Sequence, residues 1–141
     1  MIKFTKTQAM KTDSKSIELL TAMFLKNWNI ELNTYEDQFH RTDCWFNWND
    51  RTVDVEVKKR RFVSNKYPTT IIDKSKYVEL LKAKGVLVVM FDDCWYLFKD
   101  LKGAFIKCSS IRCPSTTDFG GYLKWKEEIE LDLTKGTRYD Y

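Results

Sequence analysis

Between Thr52 and Lys58 the chain alternates without exception, Val53, Val55 and Val57 against Thr52, Asp54, Glu56 and Lys58. A period of two marks a strand with one buried face. The segment before it, Asp43 to Trp48, is rich in aromatics and suits a second strand, and Asn49-Asp50 reads as a two-residue hairpin turn. That turn sets the register: Trp45 lies across from Asp54, Asp43 from Glu56 and Arg41 from Lys58, with opposed Cβ atoms about 4.5–5.5 Å apart. The valine face, joined by Cys44 and Phe46, turns inward. The other face collects Asp43, Asp54, Glu56 and Lys58.

Two carboxylates held that close repel, and one takes a proton unless a cation sits between them. A hard divalent ion such as Mg²⁺, with Mn²⁺ as a substitute, fits two carboxylates, waters and a phosphate. A lysine beside it can orient or deprotonate the attacking water and stabilise charge on phosphorus. Asp43, Glu56 and Lys58 are therefore candidates for phosphodiester hydrolysis. A lone Glu-x-Lys on a solvated strand would mean only a cross-strand ion pair; the opposing Asp43 and the basic run Lys58-Lys59-Arg60-Arg61 carry the reading further.

At these residues the sequence resembles the PD-(D/E)XK nuclease superfamily. Asp43 matches the first Asp of the motif and Glu56-Val57-Lys58 its second half, while Thr42 stands where the motif has proline. The resemblance covers the order of elements from about Lys15 to Lys99. It implies an α/β (α+β) domain of the restriction-endonuclease-like kind, a mixed sheet flanked by helices. It further implies metal binding by Asp43, Glu56 and the Val57 carbonyl. In junction resolvases a first-helix glutamate completes the metal site, and Glu18 is the residue the resemblance carries over. The expected activity is that of a Mg²⁺-dependent deoxyribonuclease, similar to small phage-type nucleases or Holliday junction resolvases. The alternative is a non-catalytic nucleic-acid-binding module that kept the fold.

A chain of 141 residues, 43% hydrophobic and 15% aromatic, is the size of one domain and can bury a working core. Residues 1–141 are read as a single domain, with a core over about 14–99 and an extension over 100–141. The formal charge of +4 is unevenly spread, because Arg51 to Lys84 holds ten Lys/Arg against four Asp/Glu. Such a concentration favours a polyanionic partner, here duplex or branched DNA. Lys59, Arg60, Arg61, Lys66 and Lys76 are the candidate nucleic-acid contacts. Phosphate contacts of this kind position a strand without reading its sequence. With no separate reading domain, cleavage is expected to be structure-directed. No apolar run reaches the length of a membrane span and the N-terminus lacks a signal-peptide core, so a cytoplasmic protein without membrane contact is expected. Four cysteines and the single histidine, His40, show no Cys-x-x-Cys spacing, which points to reduced, mostly buried thiols and not to zinc.

In chain order, residues 1–13 read as a polar arm, and Asp13 or Ser14 as the cap of a helix to about Trp28 with Ile17, Leu20, Phe24 and Trp28 on one stripe. Ile30-Glu31-Leu32 is a poor strand candidate, and Glu36, Asp37 and His40 read as loop residues near the site. A helix is expected over Asp73 to Lys84, with Gly85 as its C-terminal cap. Val86 to Phe91 suits a strand buried on both faces, turning at Asp92-Asp93 into Cys94 to Phe98. The helix-strand step implies a crossover and a mixed sheet. Ala104-Phe105-Ile106 and Ile129 to Leu133 suggest short strands around a loop from Cys113-Pro114 to Gly120-Gly121. A homodimer is expected, through the Cys94–Phe98 surface or the aromatic tail around Tyr122 and Trp125.

Overall fold

A computed structural model describes residues 6–35, 42–114 and 123–141, with side chains for 14–35, 42–111 and 125–141. Its elements run α1 (Lys6–Trp28), β1 (Asn33–Thr34), β2 (Cys44–Trp48), β3 (Arg51–Lys59), β4 (Thr69–Asp73), α2 (Lys74–Ala83), β5 (Val86–Met90) and β6 (Cys94–Phe98), then α3 (Leu101–Ala104), β7 (Phe105–Pro114), β8 (Leu123–Asp132) and β9 (Thr137–Asp140). Six strands form a mixed sheet in the order β1-β2-β3-β5-β6-β9, and β4-β8-β7 form a second sheet. Only β3 and β5 pair in parallel in the large sheet; its other pairs are antiparallel. The fold is α+β, a single small domain.

Asn49 and Asp50 both adopt left-handed backbone, at φ 49° and 62°. This is the conformation a type I′ hairpin requires. The register follows as expected, with Cys44 opposite Val55, Trp45 opposite Asp54 and Phe46 opposite Val53. Cys44, Phe46, Val53 and Val55 are buried together against Leu20 and Phe24 of α1.

The apolar run of β5 fills both faces of the sheet. Val86, Val88 and Met90 join the α1 core, while Leu87 and Val89 join a second core with Leu80 of α2 and Ile129 and Leu131 of β8. The residues after Asp100 are thus not an appended tail: β8 pairs with β4, β9 with β6, and Leu131 is fully buried. The two ten-residue strands β7 and β8 replace the short strands expected there, because their register is supplied by each other and by β4, contacts that local patterning does not contain.

Three boundaries differ from the sequence reading. Helix α1 extends back to Lys6, past the expected cap at Asp13-Ser14, since Lys6, Gln8, Ala9 and Met10 are strong helix formers. It closes on a left-handed Asn29, whose N–H bonds the Leu25 carbonyl at 2.9 Å. The strand expected at Ile30–Leu32 forms at Asn33–Thr34 instead, because Ile30 and Leu32 are used as packing against the α1 core. At the end of α2 the left-handed residue is Lys84, at φ 52°, and not Gly85. Gly85 is required for a different reason. A Cβ there would stand 2.8 Å from the Asp54 carbonyl oxygen and 3.0 Å from a Leu80 methyl, so only glycine lets α2 return this closely to β3.

Strand β6 is interior, with Cys94, Trp95, Leu97 and Phe98 buried between β5 and β9. The Cys94–Phe98 surface expected to form a dimer interface is therefore covered by the chain's own β9. No helix among the described residues is long and apolar enough to cross a membrane.

Candidate active site

The site forms where the β2–β3 ladder ends. Beyond the Cys44–Val55 pair, the Asp43 N–H still donates to the Val55 carbonyl at 3.2 Å. The Val57 N–H then donates to the Asp43 carboxylate at 2.8 Å, where a backbone carbonyl would otherwise continue the ladder. A side chain thus completes the strand edge, and it fixes the Asp43 carboxyl group beside the next residues of β3.

Glu56 and Lys58 alternate onto the face covered by α2, which supplies Lys76. Glu56 is only 4% exposed. Its carboxylate lies 3.6 Å from the Lys58 ammonium and 3.4 Å from that of Lys76, which also reaches Glu79 at 3.7 Å. Burial, and then the charge of nearby Asp43, push the Glu56 carboxyl up to about 7, against the pull of the two lysines. Desolvation therefore wins over pairing here. Oxygens of both Glu56 and Glu79 are buried without a well-formed hydrogen bond. Lys76 is thus shared between Glu56 and Glu79, and neither carboxylate has a close ion pair with it.

Asp54, on the same strand face, accepts a hydrogen bond from the Tyr35 hydroxyl. Burial, and then that bond, push Tyr35 up to about 12. Asp54 is thereby assigned to holding the β1 connection and not to the carboxylate pair.

Among the candidates read from the sequence, Asp43, Val57, Glu56, Lys58 and Lys76 converge. Lys76 does so as the partner of Glu56, a role that differs from the expected phosphate contact. Glu18 is exposed on α1, whose buried residues pack on the opposite sheet face, and no group of three or more acidic, His or Cys side chains converges among the described residues. Glu18 does not join the pair. Glu36, Asp37, His40 and Arg41 lie outside the described residues, as do the side chains of Cys113, Tyr122 and Lys124. Cys44 and Cys94 are buried free thiols and Cys108 is an exposed one.

The basic run divides. Lys59, Arg61 and Lys66 are exposed, and the Lys66 ammonium rests 5.2 Å and 5.5 Å from the ring centres of Phe62 and Tyr67. Arg60 is half-buried and donates to the Ile71 carbonyl. Together with Lys58 it lines a groove of about 480 Å³ whose far wall comes from β4 and β8. Sequence reasoning missed this wall because its residues meet only through strand pairs about sixty positions apart. It also missed Glu79, although the three-residue spacing from Lys76 on a helix was a readable signal.

Comparison of the chain with protein-family models, with curated proteins and with solved structures returns no match.

Proposed function

We propose that the protein is a Mg²⁺-dependent nuclease of the PD-(D/E)XK kind that hydrolyses phosphodiester bonds in DNA. The observation that carries this reading is the buried Glu56 carboxylate beside Asp43, raised toward neutral pH and held only by loose contacts of 3.4 and 3.6 Å with two lysines. Two neighbouring carboxylates beside a backbone carbonyl are hard oxygen ligands that suit a small divalent metal, with Asp43, Glu56 and the Val57 carbonyl as the holding groups. Bound there, Mg²⁺ or Mn²⁺ would supply Lewis-acid activation at the phosphate. The protein's own groups do the rest. The Val57 N–H orients Asp43, the Glu56 carboxylate is available in its charged form near neutral pH, and Lys58 neutralises charge developing on phosphorus or draws the proton from water.

Freed from Lys58 and Lys76 by a competing cation, Glu56 would exchange two loose ion pairs for direct coordination. Lys76 would then be released toward the phosphate, the contact expected of it from the sequence. Purified protein incubated with plasmid and oligonucleotide DNA should cleave in Mg²⁺ or Mn²⁺ and not in a chelator. Asp43→Ala and Glu56→Ala should abolish cleavage, and Lys58→Met should lose it while still binding the metal in a calorimetric titration. Full cleavage by both carboxylate variants would place the chemistry elsewhere.

A further inference from the structure

The groove that opens beside Lys58 shares only that residue with the carboxylate site, and its composition is specific. One wall is β3 and the segment after it, with Lys58, Arg60, Phe62 and Tyr67; the other is β4 and β8, with Lys126 and Glu128 among its residues. Its interior is close to charge balance: Lys126 is held by Asp73 at 2.7 Å, and the charges of Glu128 and Asp73 both bear on Arg60. Lys58, which also reaches Glu56 at 3.6 Å, is a further cation of the lining, and the exposed Lys66 ammonium lies 5.5 Å from the centre of the Tyr67 ring. Tyr67 is 52% exposed, and its ring stands perpendicular to that of Phe62 at a centroid separation of 5.5 Å.

A nearly charge-balanced groove of mixed polar and apolar lining with an aromatic wall suits a nucleobase, and the lysines Lys58 and Lys66 beside it suit the phosphates on either side of it. At about 480 Å³ the groove falls in the range of roughly 300–1,000 Å³ that encloses a small organic group. A base-paired duplex cannot enter a concavity of that size, whereas one unpaired nucleotide can. We propose that this groove holds an unpaired base next to the phosphate presented to Lys58, stacked on Tyr67, so that the protein takes single-stranded or locally unpaired DNA in preference to intact duplex.

The inference rests on the nuclease reading for the position of the phosphate, but the groove can be tested without cleavage. Anisotropy titrations of the whole protein in chelator, with a labelled single strand and the matching blunt duplex, should show the single strand bound at least about tenfold more tightly. Stacking on an aromatic side chain contributes about 1–3 kcal/mol per base, so Tyr67→Ala should weaken single-strand binding by about tenfold and Tyr67→Phe should retain it. Tyr67 is half exposed, and thermal melting by circular dichroism checks that Tyr67→Ala remains folded. Duplex bound as tightly as single strand, or a folded Tyr67→Ala variant with unchanged affinity, would overturn the proposal. Tyr67-dependent single-strand binding without any metal-dependent cleavage would overturn the nuclease reading and leave the groove standing. Cleavage with no strand preference would do the reverse.

Discussion

The two faces of β3 carry opposite solutions to burial. Toward α1, Val53 and Val55 lie among Leu20, Phe24, Phe46 and Trp95, a dry core in which the rings of Phe24, Trp28, Trp95 and Tyr139 contact one another at centroid separations of 4.5 to 6.1 Å. Toward α2, a few ångströms away through the same backbone, Glu56 is almost as inaccessible and carries an ionisable group that burial disfavours. The apolar face can be explained by transfer of hydrocarbon from water. The charged corner cannot, because replacing a buried ion cluster with apolar groups is often neutral or stabilising. The contrast teaches that the two environments are separated by strand alternation: Val53, Val55 and Val57 pack on the α1 core, and Glu56 and Lys58 are groups that folding alone does not require.

The strongest break of this comparison is Trp95→Ala. Trp95 is fully buried, stacks on Tyr139 at 4.5 Å, and packs on Phe24 and Trp28. Removal of a large buried aromatic costs about 3–5 kcal/mol. Urea unfolding should show a loss of that size. If Trp95→Ala leaves the midpoint unchanged, the α1 face is not the stabilising one.

How much of this was legible in sequence follows the same division. The hairpin was readable from its turn back to Cys44 and Val55, because alternation and an Asn-Asp turn are local and together determine which residues oppose; the expected Asp43–Glu56 pair lies past the last pair of the ladder, and Arg41 lies outside the described residues. The run Val86–Met90 announced a strand buried on both faces, and both faces are indeed filled. The second sheet was not readable. Its strands carry mixed polar patterns, and the pairing that orders them joins Ile72 to Ile129 and Cys108 to Ile129 across long stretches of chain. At the site, Asp43, Glu56 and Lys58 were found by spacing, whereas the engagement of Lys76 with Glu56 needed the tertiary approach of α2, and Glu18 was carried over by resemblance onto a helix that packs on the other face.

The charged corner gives the next effect, with a pH signature. The folded Glu56 carboxyl titrates at about 7, above its ordinary 4.5. The neutral form is therefore the one that folding favours: its stability is full below pH 4.5 and is lost as pH rises through about 7. By linkage the loss is on the order of 3 kcal/mol. Glu56→Gln should match the wild type in stability at pH 4.5 and exceed it progressively toward pH 8 in metal-free buffer. Mg²⁺ at millimolar concentration should then raise the melting temperature of the wild type and not that of the variant. A constant difference across the pH range would mean that Glu56 is ionised and comfortable in its lysine pair, and the corner would be structural.

Gly85 tests the join between the two faces. A methyl group there meets the Asp54 carbonyl and Leu80, so Gly85→Ala must move α2 away from β3. Overpacking of this kind costs about 1–3 kcal/mol. Because α2 carries Lys76, the same shift should alter the titration of Glu56, followed by pH-dependent melting. A destabilised variant with an unchanged pH profile would show that Lys76 does not depend on this close approach.

The smallest effect concerns the cations beyond the charged corner, and it separates two kinds of basic residue on the same run. Arg60 is half-buried and bonded to the Ile71 carbonyl, so its charge is already used in joining β3 to β4. Arg61 and Lys66 are exposed. Only charges that displace counterions from nucleic acid contribute to salt dependence, about 0.7 to the slope of log affinity against log salt for each contact on a single strand and about 0.9 on duplex. Arg61→Gln with Lys66→Gln should thus flatten the single-strand slope by up to about 1.4 while leaving the melting temperature alone. Arg60→Gln should do the opposite, lowering stability with little change in slope. If the double variant leaves the slope unchanged, the strand crosses another surface, and the exposed Trp125 with its neighbours on β8 becomes the place to look. If instead Arg60→Gln alone flattens the slope, its guanidinium leaves the Ile71 carbonyl for a phosphate on binding, and the groove is a track for the backbone and not a seat for a base.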